Sequence, residues 1–188
     1  RIFKTHLDYK MIPKTPGKYI YIGRDGRDVA VSYYHQYQTL HQFRGNFNNF
    51  FPLFMKGKVQ FGSWFKHIHY WNRNKSKLNV LYFTFEELKQ DPEASVRRIA
   101  EFCGLPLAEN RLKRVLERSS FAFMKEHESL FDHITESKLE KKPSEKGQFI
   151  RQGKSGGWKE YMDAPQQSKY AEQFDKWVRD ACFQFPES

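Results

Sequence analysis

An α/β domain with a mainly parallel sheet flanked by helices is the fold class this sequence predicts, on three observations. Short runs rich in β-branched and aromatic residues stand at "RIFKTH" (1–6), "KYIYIG" (18–23) and "NVLYFTF" (79–85). Each is followed by polar or charged residues. Helical patterns fill the spaces between them, and this alternation is the one that builds strand–helix–strand units. At 188 residues the chain is long enough to bury a real core, and the expected organisation is a single domain over 1–188.

The strands rest on short apolar runs and the helices on capping chemistry. The clearest helix is "DPEASVRRIAEFCG" (91–104). Asp91 is its N-cap, Pro92 its first helical residue and Gly104 its stop, while Val96, Ile99, Ala100 and Cys103 form one apolar face. Further helices are expected at 28–40, 61–74, 108–117 and 165–180. There is no internal repeat. The stretch 128–150, with "ESKLEKKPSEKG" at its centre, is charged and has neither period, so it reads as a mobile loop or lid.

Charge narrows the partners. With 32 Lys+Arg against 22 Asp+Glu the formal charge is +10, which favours anions: nucleic acid, a nucleotide, an acidic surface or an anionic metabolite. Two cysteines, Cys103 and Cys182, make no disulfide framework and point to a reducing, cytoplasmic compartment. No apolar run approaches the ~18 residues of a membrane span. The chain opens on Arg1 inside a strand-like run, and the expectation is a fragment without its N-terminal part.

In an open parallel sheet, ligands sit outside the carboxyl ends of the strands. Here those ends are His6, Arg24 and Phe85: a titratable base, a fixed cation and an aromatic face. The helix after Arg24 adds free N–H groups and a positive dipole end, and Ser32, one turn beyond Asp28, adds a hydroxyl. An ordinary strand-to-helix turn capped by Asp25 or Asp28 would use the same "GRDGRD" residues. A second glycine cluster, "RQGKSGGWK" (151–159), packs three glycines and three cations into nine residues. Such a loop brings backbone amides and cations to phosphate oxygens. Its "GKS" is no phosphate loop of the G-x-x-x-x-G-K-S type, because Gly147 leaves five intervening residues and no strand leads into it. "HIH" at 67–69 is no metal pair, since on a helix the two side chains point to different faces.

Taken in order, "KTHL" (4–7), "RDGRDVAVSYYH" (24–35), "GKVQFGSW" (57–64), "FEELKQDP" (85–92), "SSFAFMK" (119–125) and "RQGKSGGWK" resemble the cytosolic-type sulfotransferases over nearly the whole chain. That family transfers a sulfuryl group from 3′-phosphoadenosine 5′-phosphosulfate (PAPS) to a hydroxyl or amine of a small-molecule acceptor, leaving 3′-phosphoadenosine 5′-phosphate (PAP). The resemblance implies its nucleotide-kinase-like fold. It implies His6 as general base, Lys4 as a cation near the transferred group, Arg24 and Ser32 on the 3′-phosphate, Arg151, Gln152 and Gly153 in a second 3′-phosphate loop, and Phe85, Ser119 and Phe121 around adenine. It implies no metal. Imidazole titrates near neutral pH and suits the removal of an acceptor proton.

Departures from the family pattern qualify the likeness. Asp8 stands where the family has Pro, Phe85 where it has Tyr, and Gln152 where it has Lys. Asp163, Ala164 and Ser168 do not match its dimer motif, so that dimer is not expected. The family's upstream phosphate loop with its lysine is not among these residues, and sulfuryl transfer is expected only from a longer polypeptide. Two other readings stand beside this one. A basic nucleic-acid-binding domain fits the charge and interleaved aromatics but lacks a recognition-helix or RNA-sheet motif. A catalytically inactive nucleotide-binding relative is the other. The segment 43–65, rich in Phe, fits either an apolar acceptor pocket or plain core.

Overall fold

The computed structural model describes residues 1–131 and 150–179. Two strands, β1 (Lys18–Gly23) and β2 (Asn79–Thr84), pair in parallel from Lys18 opposite Asn79 to Gly23 opposite Thr84. Two of the three expected strands therefore exist, side by side and pointing the same way. The third expected strand, 1–6, does not form. Residues 1–8 have no regular structure, and Ile2 and Phe3 are 98% and 82% exposed. A strand persists only when a neighbour takes up its N–H and C=O groups, and no strand among the described residues pairs with this segment. A β-rich pattern carries no information about whether such a neighbour is there.

Helices cover both faces of the sheet. In chain order they are α1 (Gly26–Leu40), α2 (Phe47–Met55), α3 (Trp64–Arg73), α4 (Phe85–Gln90), α5 (Pro92–Cys103), α6 (Glu109–Ser119), α7 (Phe121–Glu126) and α8 (Ala164–Trp177). On one face α3 brings Trp71 and His67 against the ring of Tyr21, at 4.8 and 5.7 Å between centroids. On the other, α5 places the Arg98 guanidinium 4.5 Å from the centre of the Phe83 ring. Among the described residues no helix is long and apolar enough to cross a membrane.

The caps explain where these helices start. Asp91 accepts from the Ala94 N–H at the head of α5, Pro92 fills its first position, and Gly104 ends it in the left-handed region, as the sequence predicts. Asp25 caps α1, and Asp163 with Gln166 forms a capping box on α8. The expected 61–74 helix begins only at Trp64, because Phe61 and Gly62 take positive φ and Ser63 is the cap. Helix α2 escapes the sequence reading. Its "FNNFFPLFM" is rich in Phe and contains Pro52, yet a reciprocal Asn46–Asn49 capping box starts it, with Asn48, Asn49 and Pro52 on the exposed side. Phe47, Phe50, Phe51 and Phe54 of α2 are buried beside Phe65, Ile68 and Trp71 of α3. The Phe-rich segment is thus mainly core.

Helix α1 packs against α3 and α8 through Gly26, its first residue. A Cβ there would lie 2.6 Å from Trp64 Cε3 and 2.7 Å from the Tyr170 hydroxyl. Gly→Ala in a helix ordinarily stabilises by about 0.5–1 kcal/mol, but overpacking a filled site costs roughly 1–3 kcal/mol. Gly26→Ala is therefore expected to lower stability, read as a lower urea midpoint with an unchanged slope. A raised midpoint would show that the packing yields.

Candidate functional site

The parallel register sets the first two site residues side by side. Gly23 and Thr84 are the last paired residues, so Arg24 and Phe85, the next along each chain, emerge together at one sheet edge. The Arg24 guanidinium lies 4.5 Å from the centre of the Phe85 ring. Its Nη2 donates to the Lys154 carbonyl at 2.9 Å, and its Nε is buried without a hydrogen-bond partner among the described residues. Burial pushes the Arg24 pKa down. Asp28 and Glu86 oppose that shift, while the nearby Arg151 cation adds to it. Two guanidinium groups thus share one polar corner.

The glycine loop is held to that corner by carboxylates. Asp28, in the first turn of α1, is buried and accepts from the Gly156 N–H at 2.8 Å and the Trp158 N–H at 3.2 Å. Ser155 Oγ donates to Glu86 at 3.3 Å. Asp25 caps α1 and pairs with Arg27, whose guanidinium sits 4.0 Å from the centre of the buried Trp158 ring. Capping and loop anchoring, which the sequence leaves open between Asp25 and Asp28, are divided between them.

Further along the loop, Gly153 has φ +59° and a Cβ there would lie 2.5 Å from the Phe121 ring. Only glycine fits that conformation and that distance. Phe121, at the start of α7, is thereby set against the loop. Arg151 lies near His35, where burial first and Arg151 second push the imidazole pKa down, and His35 Nε2 bonds the Tyr161 hydroxyl at 2.8 Å. Ser32 is exposed on α1, between Asp28 and His35 in sequence. Gln152 is exposed. The Ser119 hydroxyl donates to the Val115 carbonyl at 2.8 Å and is also exposed.

Lys4 and His6 make up a second group. The His6 ring stacks on Phe61 with centroids 5.0 Å apart and planes 17° apart. Burial and then the Lys4 charge push its pKa below 6.5. His67 stands close enough to feel His6 and Asp8, and burial pushes it down to about 4. His69 turns elsewhere, its Nδ1 bonded to the Trp177 carbonyl at 3.1 Å, so the two histidines of "HIH" do face apart.

The structure therefore joins Arg24, Phe85, Arg151, Gly153 and Phe121 into one corner, with Ser32 on the adjoining helix. The sequence reading missed Asp28 and Glu86 as loop anchors and the Lys154 carbonyl as partner of Arg24. An aspartate in a first helical turn that already has a capping aspartate was the available signal for Asp28. The expected loop 128–150 lies outside the described residues except at its two ends.

Comparison with known proteins follows the same lines. The sequence model of the sulfotransferase domain family matches residues 1–182. Sulfotransferase 2B1 of Mus musculus is 40% identical over 96% of this chain and 53% of its own length. Sulfotransferase 1 family member D1 of Mus musculus is 34% identical over 98% of this chain and 64% of its own. Luciferin sulfotransferase of Photinus pyralis is 35% identical over 95% of this chain and 50% of its own. The chain thus spans from half to just under two thirds of these three relatives. Among solved structures, mouse sulfotransferase SULT7A1 complexed with PAP superposes with a TM-score of 0.77 at 30% identity, covering 94% of this chain and 64% of that one. Retinol dehydratase in complex with androsterone and inactive cofactor PAP does so at 0.81 and 27%, covering 97% and 54%.

Proposed function

The chain belongs to the sulfotransferase domain family, and from that premise we propose that it binds the 3′-phosphoadenosine end of PAPS and supplies the general base of sulfuryl transfer to a small-molecule hydroxyl or amine. One observation carries the reading. Arg24 is stacked on Phe85 and tied to the glycine loop, with Nε unpaired and a second guanidinium, Arg151, close by. Two fixed cations crowded at a glycine loop lower their energy when a dianion sits between them, and guanidinium forks suit phosphate oxygens. Ser32, Gln152 and Gly153 adjoin this corner, and Phe85, Phe121 and Ser119 offer the nucleobase its faces and a hydroxyl. That two structurally similar proteins carry PAP in their crystals supports the same assignment.

In the proposed reaction the acceptor oxygen or nitrogen bonds to sulfur as its proton passes to the His6 imidazole. The bond between sulfur and the 5′-phosphate oxygen breaks, and PAP leaves with the electron pair. The lowered His6 pKa keeps the ring unprotonated and ready to accept at neutral pH. Lys4 offsets charge on the sulfuryl and leaving oxygens. The low cysteine content supports a cytoplasmic setting for this chemistry.

Titration calorimetry of this chain with PAP, adenosine 5′-phosphate and a single-stranded oligonucleotide tests the reading. PAP is expected to bind at least ~10-fold more tightly than adenosine 5′-phosphate, the worth of one charge-assisted contact. Equal affinities, or preference for the oligonucleotide, would overturn it.

A further inference from the structure

Ile150, the residue before Arg151, is gripped from both sides by α7 and the turn after it. Glu128 accepts from the Ile150 N–H at 2.5 Å, and the Lys125 ammonium donates to the Ile150 carbonyl at 2.5 Å. Lys125 and Glu128 also pair with each other at 3.3 Å. All three groups are partly buried. One side-chain pair thus satisfies both main-chain groups of a single residue, which a strand neighbour would otherwise do.

The position of Ile150 gives this grip its meaning. Its carbonyl belongs to the same planar, trans peptide unit as the N–H of Arg151, so fixing the one aims the other to the opposite side. Arg151 opens the loop that continues through Gly153 to Lys154, whose carbonyl holds Arg24. Three residues after Ile150, Gly153 meets the ring of Phe121, which begins the helix that carries Lys125. Helix α7 therefore meets this loop at two points, one polar, from Lys125 to Ile150, and one aromatic, from Phe121 to Gly153. Nothing in the composition of "FAFMKEHES" marks it as part of an anion site.

We infer that Lys125 and Glu128 are positioning residues, a latch that sets the entry of the Arg151–Gly153 loop and so the geometry of the 3′-phosphate contacts; this rests on the nucleotide reading above. Neither side chain need touch the nucleotide. The latch acts through the backbone, so its partners are defined by hydrogen-bonding capacity: an acceptor at 128 and a cationic donor at 125. Glu128→Gln keeps an oxygen that can accept from the Ile150 N–H and Lys125→Arg keeps a cationic donor, whereas Glu128→Ala and Lys125→Met remove them.

The test pairs amide hydrogen exchange of the ligand-free protein with titration by PAP and by adenosine 5′-phosphate, for all four variants. In Glu128→Ala, exchange at the Ile150 amide is expected to quicken by about tenfold or more, with exchange in α1 and α3 unchanged. In Glu128→Ala and Lys125→Met the Kd for PAP should rise by roughly tenfold, the scale of one hydrogen bond to a charged group, with adenosine 5′-phosphate little affected. Glu128→Gln and Lys125→Arg should restore most of both effects. Unchanged exchange at Ile150 in Glu128→Ala overturns the latch itself. Faster exchange with unaltered PAP affinity overturns its positioning role. Failure of the unsubstituted protein to prefer PAP over adenosine 5′-phosphate overturns the nucleotide reading and the positioning role with it, while the exchange result still decides the latch.

Discussion

Replacing His6 with alanine is expected to lower turnover by roughly 100-fold or more, the usual contribution of a positioned general base, and to leave nucleotide affinity nearly unchanged. An acceptor hydroxyl is a weak nucleophile until its proton is removed, and under the proposed mechanism the imidazole meets only that proton. The pH profile carries a second expectation. Burial and the Lys4 charge hold the His6 pKa below 6.5, so the protonated, inactive form accumulates only under more acidic conditions. The acid limb of kcat/KM should then fall below pH 6.5. Lys4→Met should move that limb upward, because the neighbouring positive charge that disfavours imidazolium is gone. Wild-type turnover by His6→Ala across neutral pH would remove His6 from the mechanism.

Arg24→Ala has the next largest effect, on binding. A charge-assisted contact to phosphate is worth on the order of 1.5–3 kcal/mol, so the Kd for PAP should rise by about 10-fold to 150-fold. Adenosine 5′-phosphate should lose much less. Two further losses add to the direct one: the platform that Arg24 forms with Phe85 and the bond from Nη2 to the Lys154 carbonyl. Arg24→Lys keeps the charge but not the fork, and should fall between the two. Equal weakening of both nucleotides in a calorimetric series would detach Arg24 from the 3′-phosphate.

What the sequence disclosed divides along physical lines. Strands β1 and β2 and helices α1, α3, α5, α6 and α8 were legible, because runs of β-branched and aromatic residues and side-chain caps are local signals. Arg24 and Phe85 were legible as strand ends, and the parallel register then places them together. The segment 1–6 reads like a strand but depends on a pairing partner that its own residues do not encode. Helix α2 was hidden by Pro52, which inside a run ordinarily argues against a helix, although Phe47, Phe50, Phe51 and Phe54 keep the i, i+3, i+4, i+7 spacing of one helical face. Short α4 and α7 are too brief to show one. The anchoring of the site by Glu86, Lys125 and Glu128 was illegible for another reason, while for Asp28 the one local signal was its place in a turn already capped by Asp25. The partners of all four are main-chain groups of Gly156, Trp158 and Ile150 or a hydroxyl at Ser155, and any residue type would present those amides and carbonyls.

The two bonds from Asp28 to the loop give the protein a built-in counter-ion. A glycine-rich loop whose amides converge is ordinarily left to water until an anion arrives to organise it. Here a carboxylate of the same chain already occupies the Gly156 and Trp158 N–H groups, so that portion of the loop keeps its shape in the absence of any guest. Little ordering entropy then remains to be lost there when an anion binds. Under the proposed nucleotide site, the same occupancy would deny those two amides to the guest and leave recognition to the guanidinium side chains and the amides nearer Arg151. Binding that rests on charged side chains should weaken as added salt screens them.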